Sequence, residues 1–123
     1  MGQLSERCER REALADLRNR AFEANDQAKV AAGPERETRY REKALAISYL
    51  LEAGCAFVNS VDWSQSDPTL GVTFIDGGRL HTKLSSLSSR ALRCVRRQLN
   101  GGPVPDRAAV ARTCRNWRSR RAA

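Results

Sequence analysis

The sequence predicts an α+β fold: a long antiparallel helical hairpin packed with one β-hairpin and one or two C-terminal helices. Three observations predict it. Apolar residues in the first half recur at steps of 3 and 4 over two stretches separated by Gly33-Pro34. Asp76-Gly77-Gly78 interrupts two segments rich in β-branched and aromatic residues. Arginine-rich segments with a helical apolar face follow. At 123 residues the chain has room for one domain with one modest core, spanning 1–123. It divides into a helical hairpin at 4–61, a β-hairpin plus basic helix at 62–102, and an Arg-rich C-terminal helix at 103–123.

Residues 4–32 read as one helix, because Leu14, Leu17, Ala21, Ala24, Ala28 and Ala31 share a face and neither Gly nor Pro interrupts them. Small alanines along that seam allow close approach of a partner helix, so a homodimer through the N-terminal helices is one expectation. Gly33 suits a left-handed helix end and Pro34 the first turn of the next helix. The second helix runs from about 34 to 53, with Tyr40, Ala44, Ile47, Leu50 and Leu51 as its apolar stripe. Residues 54–63 fit either a continuation of that helix or a buried strand. Extension to about Ser60 is preferred, because Phe57, Val58 and Val61 keep the 3–4 spacing. Residues 62–69 form a polar loop with Ser64, Ser66, Asp67 and Pro68 as turn formers.

In the β-hairpin, a three-residue loop with Gly78 in the left-handed region pairs Phe74 with Leu80, Val72 with Thr82 and Leu70 with Leu84. Every large apolar residue except Ile75 then lies on one face. Ser86 or Ser88 caps the third helix, which stops at Asn100-Gly101-Gly102. Pro103-Val104-Pro105 is a stiff connector, and Asp106 caps a short fourth helix around Val110, Cys114 and Trp117.

The composition is 41% hydrophobic and 29% charged, which suits a folded chain. No apolar run approaches the roughly 20 residues of a membrane span. The N-terminus lacks the apolar stretch of a signal peptide, and Glu6 departs from the acylation pattern that Gly2 begins. A cytoplasmic location without membrane contact is therefore expected. Cys8, Cys55, Cys94 and Cys114 are far apart and lack zinc-site spacing, so they read as reduced thiols. His81 is the sole histidine, lies mid-strand, and has no nucleophile at a suggestive spacing. Asp76-Gly77-Gly78 is a turn and not a phosphate loop, and Asp62, Asp67 and Asp76 are too few for a two-metal site. The expectation is a non-enzymatic protein with no cofactor and no metal.

Charge carries the functional reading. Residues 1–61 hold ten Lys/Arg and ten Asp/Glu, whereas residues 62–123 hold twelve Lys/Arg and four Asp, the whole of the net +8. On the third helix Arg90, Arg93, Arg96 and Arg97 fill an arc apart from Ala91, Leu92, Val95 and Leu99. Arg112, Arg115, Arg118, Arg120 and Arg121 extend the run, with Trp117 placed either to stack on a base or to join the core. Guanidinium forks match phosphate oxygens and keep their charge, so these nine arginines are the candidate nucleic-acid-binding residues. An ordinary solvated helix face is the plainer reading of the same arc. The expected partner is nucleic acid, or an acidic protein or nucleoprotein surface, and the expected role is that of an accessory protein. A different class fits the same features: a phage or mobile-element product that inhibits a host complex by protein–protein binding, of the anti-CRISPR or anti-restriction type. Helix-turn-helix, zinc-finger and RNA-binding motifs are absent from the sequence.

Overall fold

The computed structural model describes residues 2–100, with side chains from residue 12 onward. The element order is α1 (Gly2–Val30), α2 (Pro34–Glu52), β1 (Ala56–Asp62), β2 (Thr69–Phe74), β3 (Arg79–Lys83), a 3-10 turn (Leu84–Ser86) and α3 (Ser89–Asn100). The predicted α+β architecture is present, with a helical hairpin packed against antiparallel strands and a C-terminal helix. The sheet has one strand more than predicted and is a meander of order β1-β2-β3. The expected fourth helix, with Arg112, Arg115, Arg118, Arg120 and Arg121, lies outside the described residues.

The alanine seam of α1 is used within the chain. Ala21, Ala24 and Ala28 are buried, and α2 is the element that α1 contacts most. Small side chains let the two helix backbones close together. A polar pin fixes their alignment, since Lys43 Nζ donates to Asn25 Oδ1 at 3.1 Å and lies 4.8 Å from the centre of the Tyr40 ring. At the hairpin tip Gly33 has φ 60°, and Arg36 Nε donates to the Ala31 carbonyl at 2.9 Å.

Residues 56–61 are strand, which corrects the preferred helical extension and the 4–61 limit of the hairpin. The cause is Gly54, in the left-handed region at φ 74°. From there Gly54 N–H donates to Leu51 O and Cys55 N–H to Leu50 O, closing the last turn of α2. The chain leaves extended, and its β-branched and aromatic residues pair with β2. Ala56 and Val58 face inward opposite Phe74 and Val72; a bulge at Asn59 resets the alternation so that Val61 faces Leu70. Without that extra residue Ser60 would take the inward position.

The β2–β3 pairing also differs from expectation. Leu70 faces Thr82 and Val72 faces Leu80, two positions from the predicted partners. The loop is Ile75-Asp76-Gly77, because Phe74 N–H donates to Gly78 O and Gly77 N–H to Phe74 O, both at 3.0 Å. A slip of two positions keeps every side chain on its face, so Leu70, Val72, Phe74, Leu80 and Thr82 of the predicted inner row are buried as expected, whereas Leu84, predicted opposite Leu70, lies past the end of β3 in the 3-10 turn and is half-buried. The turn docks on α1. Arg18 pairs with Asp76 at 2.7 Å, and its Nε and Nη2 donate to the Gly77 carbonyl. Phe22 meets Phe74 edge to face and occupies the space beside Gly78, where a Cβ would lie 2.7 Å from Phe22 Cζ. The core joins Ile47, Leu50 and Leu51 of α2 to the inner sheet face and to Ala91 and Val95 of α3.

Candidate anion-binding interface

Helix α3 is fixed at both ends. Ser88 is its N-cap, accepting from the Ala91 N–H at 3.1 Å. The Ser88 hydroxyl donates to Glu52 Oε1 at 2.9 Å, and its N–H donates to Ser48 Oγ at 3.1 Å, tying the cap to α2. Glu52 thereby places negative charge at the positive end of the α3 dipole. Near the other end, Gln98 Oε1 accepts from the Val58 N–H at 2.8 Å and covers the outer edge of β1. Ala91 and Val95 are buried between these anchors, with Leu92 and Leu99 packed beside them.

This anchoring determines what α3 shows to solvent. At about 100° per residue, Arg90, Arg93, Arg96 and Arg97 cover an arc about 120° wide, nearly opposite the buried stripe. All four are exposed. Among the described residues the ion pairs are Arg18–Asp76 and Arg39–Glu42, so none of the four arginines has a carboxylate partner there. The described acids of the C-terminal half are engaged elsewhere. Asp76 holds Arg18. Asp62 accepts from the hydroxyl and N–H of Ser64, and Asp67 from those of Ser85. These hydrogen bonds hold both carboxyls below their ordinary pKa, with the serine hydroxyl as the largest cause in each case. Repulsion between arginines three and four apart costs about 0.2–0.5 kcal/mol per pair. An anion bridging them removes that cost and accepts the planar donor fork of each guanidinium.

Other chemistry is thinner. His81 is exposed on the outer sheet face, beside Gly71 and Ser60. A Cβ at Gly71 would collide with Ser60 Oγ and lie 3.5 Å from His81 Nε2. No hydrogen bond joins Ser60 Oγ to His81 Nε2. The bulge at Asn59 brings Ser60 to this face, a proximity that sequence spacing does not reveal. The cavity under Arg18 and Asp76 has a volume of about 10 Å³, space for about one water. Among the described residues no group of three or more His, Cys, Asp and Glu is placed to hold a metal ion, and no helix is long and apolar enough to cross a membrane.

Two features escaped sequence reasoning. One is Lys43, predicted neither as core nor as pin. The other is a groove between α1 and α2 on the side away from the sheet, bordered by Leu17, Leu45 and Tyr49. The signal for it was Leu45 and Tyr49, four apart and outside the predicted stripe of the second helix. The chain matches no protein-family model, and comparison with curated proteins and with solved structures returns no match.

Proposed function

We propose that the protein is a non-enzymatic, cytoplasmic accessory protein that binds nucleic acid through the arginine face of α3. The observation that carries this reading is the arc of Arg90, Arg93, Arg96 and Arg97, exposed together and without a carboxylate partner among the described residues. The reading extends to Arg112, Arg115, Arg118, Arg120 and Arg121. Phosphate contacts dominate such binding, so affinity comes with little sequence preference and depends steeply on salt.

Binding measured by fluorescence anisotropy against duplex DNA, single-stranded DNA and RNA tests it. Four phosphate contacts correspond to a slope of log K against log salt of about −3.6 on duplex DNA, a loss of about 10²-fold between 50 and 200 mM salt. The double variant Arg96→Glu, Arg97→Glu should weaken binding at least tenfold and flatten the slope by about 2. Absence of binding to all three ligands at low salt, or affinity indifferent to salt, overturns the reading.

A further inference from the structure

The inner face of the sheet is buried, but its outer face is open: Ser60, Asp62, Arg79, His81 and Lys83 are all exposed there. The bulge turns both Asn59 and Ser60 to this side, where they close over Gly71. Asn59 Nδ2 donates to Thr73 Oγ1. Ser60, Arg79 and His81 have no side-chain hydrogen bond or ion pair among the described residues. Phe57 lies half-buried near the start of β1 on the same face. Trp63 follows the end of the strand, about 20 Å further along it. This indole is 66% exposed, yet the loop that carries it is well fixed. The Ser64 N–H and hydroxyl both donate to Asp62 Oδ1, closing an Asx turn around Trp63. Lys83 donates to Gln65, and Ser85 donates twice to Asp67. An aromatic ring held in solvent by so fixed a loop is preorganised for a flat ligand.

Charge tells which part of a ligand this face suits. Asp62 and Asp67 both lie near Lys83, so the end of the sheet beside Trp63 attracts no phosphate. Phosphate is drawn to α3, which runs along the β1 edge and meets it where Gln98 accepts from the Val58 N–H. Arg90 and Arg97 lie about 80–100° round α3 from Gln98, on the side away from Leu92 and Leu99. The helical period therefore turns these two arginines toward β1. A cationic strip adjoins a face of little net charge that offers an exposed indole and free hydrogen-bonding groups. A duplex shows its phosphates and keeps its bases stacked inside, so it engages the strip alone. A nucleic acid engages both surfaces only where its bases are unpaired. An apolar protein surface is a poorer match, because it would desolvate Asp62, Ser64 and Gln65 around the indole. Resting on the nucleic-acid reading above, we infer that the ligand is a single strand, DNA or RNA, laid along β1 with its phosphates on Arg90 and Arg97 and a base stacked on Trp63.

The test needs no variant at first. Fluorescence anisotropy at about 50 mM salt compares a short oligothymidylate, a strand of equal length made of abasic-site analogues, and a duplex. The first two carry the same phosphates, so a difference between them reports the bases. The oligothymidylate should bind the native protein about tenfold tighter than the abasic strand. Trp63→Ala should erase that difference and leave duplex affinity where it was, with circular dichroism unchanged because the side chain is exposed. Arg96→Glu/Arg97→Glu should weaken all three ligands, which separates the α3 reading from this one. In Trp117→Phe protein, Trp63 is the sole tryptophan, and oligothymidylate should quench its fluorescence while the abasic strand does not. Equal affinity for the base-bearing and abasic strands overturns the single-strand inference and leaves the α3 reading standing. A preference for bases that survives Trp63→Ala overturns the stacking assignment. Absence of binding to every ligand overturns both readings together.

Discussion

Replacing Ser88 with alanine removes the acceptor for the Ala91 N–H and the donor to Glu52 at one stroke. Loss of an N-cap costs about 1–2 kcal/mol, and the cap here also joins α3 to α2. S88A should therefore lower the urea midpoint by that equivalent, while Ser88→Thr, which keeps a hydroxyl, should recover most of it. Lys43 presents the opposite case. Its side chain is 6% exposed and pairs with an amide, not a carboxylate, and its pKa lies below the ordinary 10.5 because of desolvation first and Lys29 second. Burial disfavours the charged amine in the folded state relative to the unfolded chain. As pH rises into the interval between the lowered pKa and 10.5, the folded protein gives up the proton while the unfolded chain still holds it, so stability increases with pH there. Urea unfolding across that interval should show the increase in the native protein and not in Lys43→Met. K43M should be at least as stable at pH 7, since a lone buried charge is exchanged for a thioether of similar length.

Gly54 shows how an element boundary is set and how it was misread. Phe57, Val58 and Val61 satisfy helical spacing over a short stretch, and a strand containing a bulge produces the same spacing. Hydrophobic periodicity alone does not separate these two readings, whereas a glycine followed by β-branched and aromatic residues does. No atom lies within 4 Å of a Cβ built at Gly54, so a substitution there is opposed by backbone conformation alone. Gly54→Ala should cost about 1–2 kcal/mol by thermal or urea unfolding, and Gly54→Asn less, because asparagine tolerates the left-handed region. The helices themselves were legible, since α1 and α2 each repeat one spacing for many turns. The sheet faces were legible too, because a period of two survives a slip of two positions. The partners across the β2–β3 ladder were not, since they depend on which residues close the turn, and Phe22 of α1 sits against that turn.

Across the whole molecule, surface charge is divided by side. The helical hairpin presents mixed signs, and α3 presents arginine alone over the described residues. This division was legible from the chain because it needs only the order of charges and the helical period. The exposure of the α3 arginines also followed from sequence, once Ala91 and Val95 were assigned to the core. The groove beside Tyr49 was not legible. It exists only because α1 covers one strip of α2, the sheet and α3 cover another, and the strip between them stays open, a result of three elements meeting.

The grip of Arg18 on the Gly77 carbonyl joins positions 59 residues apart. A ribosome adding roughly 5–20 residues per second incorporates Arg18 several seconds before that carbonyl exists. Helices α1 and α2 are adjacent in sequence and both are synthesised before any strand of the sheet, so their alanine seam can close first. The inner sheet face and α3 arrive later, onto a hairpin already in place. The order of synthesis thus matches the order in which the contacts become possible, and the nascent chain hides its small-residue seam before its β-strands emerge.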